Sequence, residues 1–254
     1  VDRLALIRTR IRALGSESGA QLTRRFFKTG PGDYGEGDLF LGVSVPQLRA
    51  LLPEATALSE VETVELLRSA WHEERLFALF LLVRQFQSEP GNNAMRERVV
   101  ASYLENLASV NNWDLVDSSA PQILGTWLME RDRGLLDALA ASQRMWERRV
   151  AVVSTLAFIG KGDLQWTFRL VERLISDPHD LMQKACGWML REAYKKEAPP
   201  VLSFLEENGK RMPRTMLRYA IERVPEVERK RLLQRYRTRD VRGCPADDKW
   251  PACR

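Results

Sequence analysis

The chain repeats itself at a spacing that fits two helices and their turns. Arg75, Asn112, Arg149, Lys184 and Arg218 follow one another at intervals of 37, 37, 35 and 34 residues. Around four of them the text is alike: Glu74-Arg75-Leu76-Phe77-Ala78, Arg148-Arg149-Val150-Ala151, Gln183-Lys184-Ala185-Cys186 and Leu217-Arg218-Tyr219-Ala220. Each puts a basic residue just before the small and apolar residues that open a helix. A period of this length with two helical patterns per unit marks stacked helical repeats, in which each unit buries its apolar face against its neighbours. Alternation of apolar and polar residues never persists, and no Asn-Gly or Asp-Gly turn joins two alternating runs, so strands are not expected. The expected fold is all-α, a single-domain α-solenoid of helical repeats over residues 1–236 with a concave basic groove. A basic, poorly ordered tail is expected over 237–254.

The chain before the repeats is also helical in pattern. Leu4, Ile7, Ile11 and Leu14 recur at helical spacing, and Gly15 ends that helix. Ser18 and Gln21 are spaced as a capping box for a second helix to Lys28, and Ser44 with Gln47 and Ser59 with Glu62 predict two more helix starts. The run from Gly30 to Asp38, with four glycines and a proline, reads as an irregular loop. No strand precedes it, so its glycines do not make a nucleotide-binding fingerprint. Glu73 to Phe86 is apolar all round, as a helix buried between neighbours is.

Composition narrows the function classes. The longest apolar run, Leu76–Val83, is far short of a transmembrane span. The N-terminus opens an amphipathic pattern rather than a signal peptide. Three cysteines do not make a disulfide framework, which points to a reducing cytoplasm. Two histidines, His72 and His179, give neither a zinc site nor a histidine triad, and His72 belongs near a helix start. The net charge is +5, and the excess is concentrated: Asn208–Arg242 holds twelve cations against four acids. That balance fits a polyanionic partner.

One stretch stands out for chemistry. Trp113 and Asp117 are four residues apart in Asn112-Trp113-Asp114-Leu115-Val116-Asp117, so on a helix they share a face. Asn111 or Asn112 caps that helix, and Asp114 suits its positive end. Asp117 has no such employment. Pro121 cannot donate to the carbonyl of residue 117, which predicts a kink there. Two readings stay open: a solvated acid beside a core Trp, or an acid kept for chemistry. The second pattern is a stripe, Lys184, Trp188, Arg191 and Lys195, on one helix face; Trp146 and Arg149 form a smaller version. Cations that neutralise phosphates, with rings that pack on sugars or bases, suit a sugar–phosphate strand. A carboxylate on such a surface repels its ligand. It needs a purpose, such as stabilising a sugar that becomes cationic as its bond to a base breaks.

These residues carry a resemblance. Trp113-Asp114-Leu115-Val116-Asp117 with Pro121, and Gln183-Lys184-Ala185-Cys186-Gly187-Trp188-Met189-Leu190-Arg191-Glu192, resemble the AlkD family of bacterial DNA glycosylases. Phe40-Leu41-Gly42-Val43 and Trp146-Glu147-Arg148-Arg149 add to the likeness, which spans roughly residues 35–225. The family is built from HEAT-like helical repeats and excises positively charged alkylated purines without flipping the base into a pocket. The resemblance implies that Asp117 is the catalytic carboxylate and that Trp113 and Trp188 contact the lesion's backbone. It puts Arg149, or else Arg148, near the phosphates, beside Lys184, Arg191 and Lys195 of the stripe. It also implies base excision repair in a bacterial cytoplasm, at the nucleoid. The partner is duplex DNA containing alkylated bases, with no metal, no organic cofactor, no membrane, no required protein partner and a monomeric state. The alternative from another class is a non-catalytic HEAT-type module that binds DNA or protein.

Overall fold

Side-chain caps set the helix starts, and most of those expected are present. The computed structural model describes residues 2–236. Asp2 caps α1 (Arg3–Ala13), whose Leu4, Ile7 and Ile11 face inward. In α2 (Glu17–Phe26) the cap is Ser16, not Ser18: its hydroxyl accepts from the Gly19 amide at 3.1 Å, while its own amide donates to Leu41 O. That tertiary bond outweighs the local Ser18/Gln21 spacing. The Ser44/Gln47 box opens α3 (Val45–Leu51), and the Ser59/Glu62 box opens α4 (Glu60–Leu67).

The inner and outer helices alternate from there. α5 (His72–Ser88) is buried along most of its length and packs on α4 and on α6 (Asn93–Glu105). Next come the short α7 (Trp113–Asp117), a π-helical turn over Pro121–Gly125, and α8 (Gly134–Ala140) packed on α9 (Met145–Ser154). α10 (Leu156–Gly160) and α11 (Gln165–Arg173) lead to α12 (Asp180–Lys196), which packs on α13 (Ala198–Asn208) and most extensively on α14 (Arg214–Ala220); α15 (Glu226–Arg235) closes the described chain. α5, α7, α9, α12 and α14 touch in succession and form the inner layer, with α4, α6, α8, α11 and α13 outside it. The fold is therefore the expected all-α stack of helical repeats, built on one main core with a smaller cluster around Ala20, Phe27 and Phe40 beside it. Among the described residues there is no strand, only a single bridge between Leu39 and Trp71. The 237–254 tail, with Cys244 and Cys253, lies outside the described residues.

The repeat period holds, but its register differs by one residue from the sequence expectation. Before α5, Ser69 Oγ accepts from the Trp71 amide and donates to Glu74, and Arg75 donates to the Ser69 and Ala70 carbonyls. The same bonds recur 73 residues on, at Ser142, Arg144, Glu147 and Arg148. They recur in part 35 further, where Asp177 takes the amide of His179 and Gln183 reaches the Asp177 carbonyl. Arg75 thus corresponds to Arg148 and Gln183, not to Arg149 and Lys184. In the corrected register Arg149 and Lys184 are equivalent, with Val153 and Trp188 one turn beyond them, and the N-caps Asn112, Arg144 and His179 put Asp117 at the same position as the two cations. The sequence slipped because two adjacent arginines offered the same local pattern.

Close approach of α12 and α14 requires Gly187. A Cβ there would stand 2.5 Å from Met216 O and 2.5 Å from the Tyr219 Cβ. Gly187→Ala should therefore lose about 1–3 kcal/mol in urea unfolding, overriding the ordinary helical preference for alanine. Unchanged or raised stability would show that α14 can give way.

Candidate functional site

Asp117 is the last residue of α7, and the helix stops there instead of kinking. Pro121 opens the π-helical turn four residues later, so the irregularity expected from its missing amide is present in a sharper form. Asn112 is the N-cap: its side-chain oxygen accepts from the Trp113 amide at 2.8 Å, and its amide group donates to Asp38.

The Asp117 carboxylate is held by Arg149 of α9 in a fork, Nε to Oδ1 at 3.0 Å and Nη2 to Oδ2 at 2.8 Å. The third arm of the guanidinium donates to Leu181 O at 2.6 Å, at the start of α12. Arg149 therefore links three successive inner helices. Its side chain is 6% exposed, while that of Asp117 keeps 19% open to solvent. Burial pushes the Asp117 carboxyl above the ordinary aspartate range, opposed by Arg149 and helped by the neighbouring Asp114. A carboxylate at a helix C-terminus faces the negative end of the dipole, a further push in that direction.

Trp113 stands beside this pair in a stack of rings. It lies over Phe27 at 5.2 Å and meets Phe26 edge-on at 5.7 Å. Phe27 in turn packs on Phe40 and His72. Tyr34, in the glycine-rich loop, packs with Trp113 against the Phe27–Phe40 cluster and lies edge-on to Trp146 at 6.2 Å. Sequence reasoning read that loop as a connection only and missed Tyr34. The signal was a lone aromatic among glycines, too weak by itself.

The α12 stripe is present, but its cations are already paired. Lys184 meets Asp180 at 2.6 Å, and Arg191 meets Glu222 at 2.5 Å. Glu192, which the sequence reading left without a role, accepts from Trp188 Nε1, Arg191 and Lys195. Burial acts to raise the Glu192 pKa, but Lys195 and Arg191 outweigh it and hold the carboxyl below the usual range. Trp188 is half-buried against the core at the edge of this cluster. Arg148 does not join Arg149: it is turned to Asp177 at 2.7 Å and to the Ser142 and Gln143 carbonyls. It braces the repeat as Arg75 does, for the register reason given above.

His72 is the second missed residue. It begins α5, as expected, yet it is 2% exposed, with Nε2 2.8 Å from Asp114 and Nδ1 3.5 Å from Asp38. Burial alone would lower its pKa, but the Asp114 and Asp38 carboxylates raise it to about 9. Among the described residues no group of three or more His, Cys, Asp and Glu side chains could hold a metal ion, and no helix is long and apolar enough to cross a membrane.

The raised His72 pKa makes stability depend on pH. The stabilisation is fully present below the ordinary value of about 6.5 and is lost as pH rises through about 9. Unfolding measured from pH 6.5 to 10 should show a loss on the order of 3 kcal/mol. His72→Gln should flatten that limb; an unchanged limb would place its origin elsewhere.

Comparisons with known proteins bear on the family and the fold. The family model described as "DNA alkylation repair enzyme" matches residues 7–224. Its match takes in α1 from Ile7 onward and the whole glycine-rich loop, although the motifs quoted above reached back only to about residue 35. A solved structure titled "Predicted DNA alkylation repair enzyme from Enterococcus faecalis" superposes with a TM-score of 0.64 at 17% identity, over 84% of this chain and 97% of that one. At that identity the likeness establishes the fold. No curated protein matches the chain. With the family match covering most of its length, the chain belongs to the DNA alkylation repair enzyme family.

Proposed function

We propose that the protein is a monofunctional DNA glycosylase that hydrolyses the N-glycosidic bond of cationic N-alkylated purines, of the 3-methyladenine and 7-methylguanine type, in duplex DNA. The observation that carries this reading is Asp117: a carboxylate partly open to solvent, at the broken end of a helix, one turn from Trp113 and held by Arg149. A surface that only bound phosphate would gain from its removal.

The alkylated base is already cationic and leaves without being protonated. What the reaction needs is a negative charge near the sugar as it takes on oxocarbenium character, and a water directed at C1′. Arg149 favours the ionised form of Asp117 against the burial that raises its pKa and fixes the carboxylate's orientation, while Trp113, with Trp188 further along the inner layer, offers ring faces to the sugar–phosphate backbone. Lys184, Arg191 and Lys195 meet the phosphates by exchanging their acid partners for them. Excision without base flipping belongs to this reading as what the family resemblance implies. The rival, a binding module without chemistry, draws support from the same fork, because an Arg–Asp pair can also be purely a brace.

Release of methylated bases from alkylated duplex DNA, native chain against Asp117→Asn, tests the proposal. The variant should lose roughly 10²–10³ in single-turnover rate, with binding unchanged or tighter. No release by the native chain, or equal release by both, would count against an enzyme. Binding should also weaken steeply with salt, and Lys184→Gln or Lys195→Gln should each shallow the log–log slope by about one unit or less, the shortfall reflecting the acid each cation gives up. A salt-insensitive complex would contradict the phosphate assignment.

A further inference from the structure

α7 is five residues long, too short to hold itself as a helix. The positions of Trp113 and Asp117 are therefore set by what its ends are tied to. One tie is the Arg149 fork at Asp117. The other end is tied through Asp114 and Asn112, and both lead to the same buried group. Asp114 Oδ2 lies 2.8 Å from His72 Nε2, and Asn112 donates to Asp38, which faces the other nitrogen of that ring.

We propose that His72 is a positioning residue of this site: standing between Asp38 and Asp114, its side chain ties the loop that carries Tyr34 to the helix that carries Trp113 and Asp117. The inference takes the site from the functional reading above, but not the reaction. Nε2 is within hydrogen-bond distance of Asp114, and Nδ1 faces Asp38 at 3.5 Å as an ion pair without a hydrogen bond; the doubly protonated imidazole suits both carboxylates, whereas the neutral ring would set a lone pair toward one of them. Every element around the ring bears this out. From the loop comes Asp38, itself held by Arg75 at 2.7 Å; from α7 comes Asp114. On α5 itself, Glu73 is turned away to the amides of Leu41, Gly42 and Val43, and Arg75 is spent on Asp38 and two carbonyls. The remaining neighbours are rings, Phe27 at 4.9 Å and Phe40 at 4.8 Å. Without the His72 charge two carboxylates face each other across an apolar slot. If the ring itself is removed, Asp38 keeps Arg75 and Asn112, whereas Asp114 keeps only its bond from the Leu115 amide. The loop is equally dependent: Gly35 and Gly37 lie between Tyr34 and Asp38, so the anchor at Asp38 decides where Tyr34 stands against Trp113 and Trp146.

The chain's two histidines make this directly readable. The full chain, free of DNA, is followed by 1H–15N NMR of imidazole and indole groups from pH 6.5 to 10.5, with His179→Gln and Trp113→Phe assigning the signals. His72 should be doubly protonated at neutral pH and lose its proton near pH 9, and the Trp113 indole should shift with the same midpoint while that of Trp166, on outer α11, does not. A neutral His72 at pH 7, or a deprotonation that leaves Trp113 unmoved, would overturn the proposal. In His72→Gln the Trp113 indole should take, at neutral pH, the position it has in the native chain above the transition. If that variant does not fold, Asp38→Asn serves, and should lower the His72 midpoint and carry the Trp113 shift with it; a static Trp113 in the folded variant again overturns the idea. On methylated duplex DNA, the folded variant should lose roughly 10–100-fold in single-turnover rate from misplacement, with binding changed less than about threefold. Because the NMR arm uses no DNA, absence of excision by the native chain would sink the glycosylase reading and leave this one to be decided by the indole shift.

Discussion

Four ionisable side chains in a row, His72 to Arg75, are buried at the start of α5, and the inner layer depends on how each is satisfied. An unpaired charge in such a place would be prohibitive, so each must find partners from other parts of the chain. Glu73 gathers three amides of the Leu41–Val43 segment, and Glu74 holds Arg8 and Arg12 of α1. Arg75 grips the preceding turn and Asp38, and His72 spans Asp38 and Asp114. The N-terminal helices, the glycine-rich loop and α7 are thereby referred to one helix. Gly42 completes the fit: at φ 79° its missing Cβ lets the segment lie against the backbone of Gly19 and Ala20.

The same logic extends to the candidate site. The charges of the inner layer are mostly paired across repeats: Arg148 to Asp177, Arg149 to Asp117 and Arg191 to Glu222. Two kinds of pair can be separated. Arg148–Asp177 is closed on both sides and repeats the geometry at Arg75, so it belongs to the architecture. Counted from the N-caps Asn112, Arg144 and His179, Asp117 takes the position that Arg149 and Lys184 take in the next two units, and its carboxylate keeps an open side. A repeat protein that departs from its own pattern at one position, with an acid among cations, has put something there that stacking does not require.

Much of this was legible in the sequence. The period, the absence of strands, the caps at Ser44, Ser59 and Asn112, and the break after Asp117 all follow from local chemistry with short reach. What was not legible depended on distant partners. Nothing in the text around Ser16 announces Leu41, so the cap of α2 was misplaced by two residues. Arg148 and Arg149 are adjacent and chemically identical; only the turn at Ser142 and the carboxylates at Asp177 and Asp117 tell them apart. His72 looked like an ordinary first-turn residue because Asp38 and Asp114 lie 34 and 42 residues away on either side. The cation stripe was read correctly as a stripe, but Glu192, on the same face as Trp188, was overlooked as the group that gathers it.

The central claim is that Asp117 acts on the sugar and does not merely hold Arg149. The direct measurement is the single-turnover excision rate of Asp117→Asn in an Arg149→Gln background, at a pH well above the raised Asp117 range, on the same methylated duplex. If the carboxylate stabilises the sugar itself, its loss should still cost at least about tenfold when Arg149 is already gone. If the double variant is no slower than Arg149→Gln alone, Asp117 works only through the arginine, and the account is wrong.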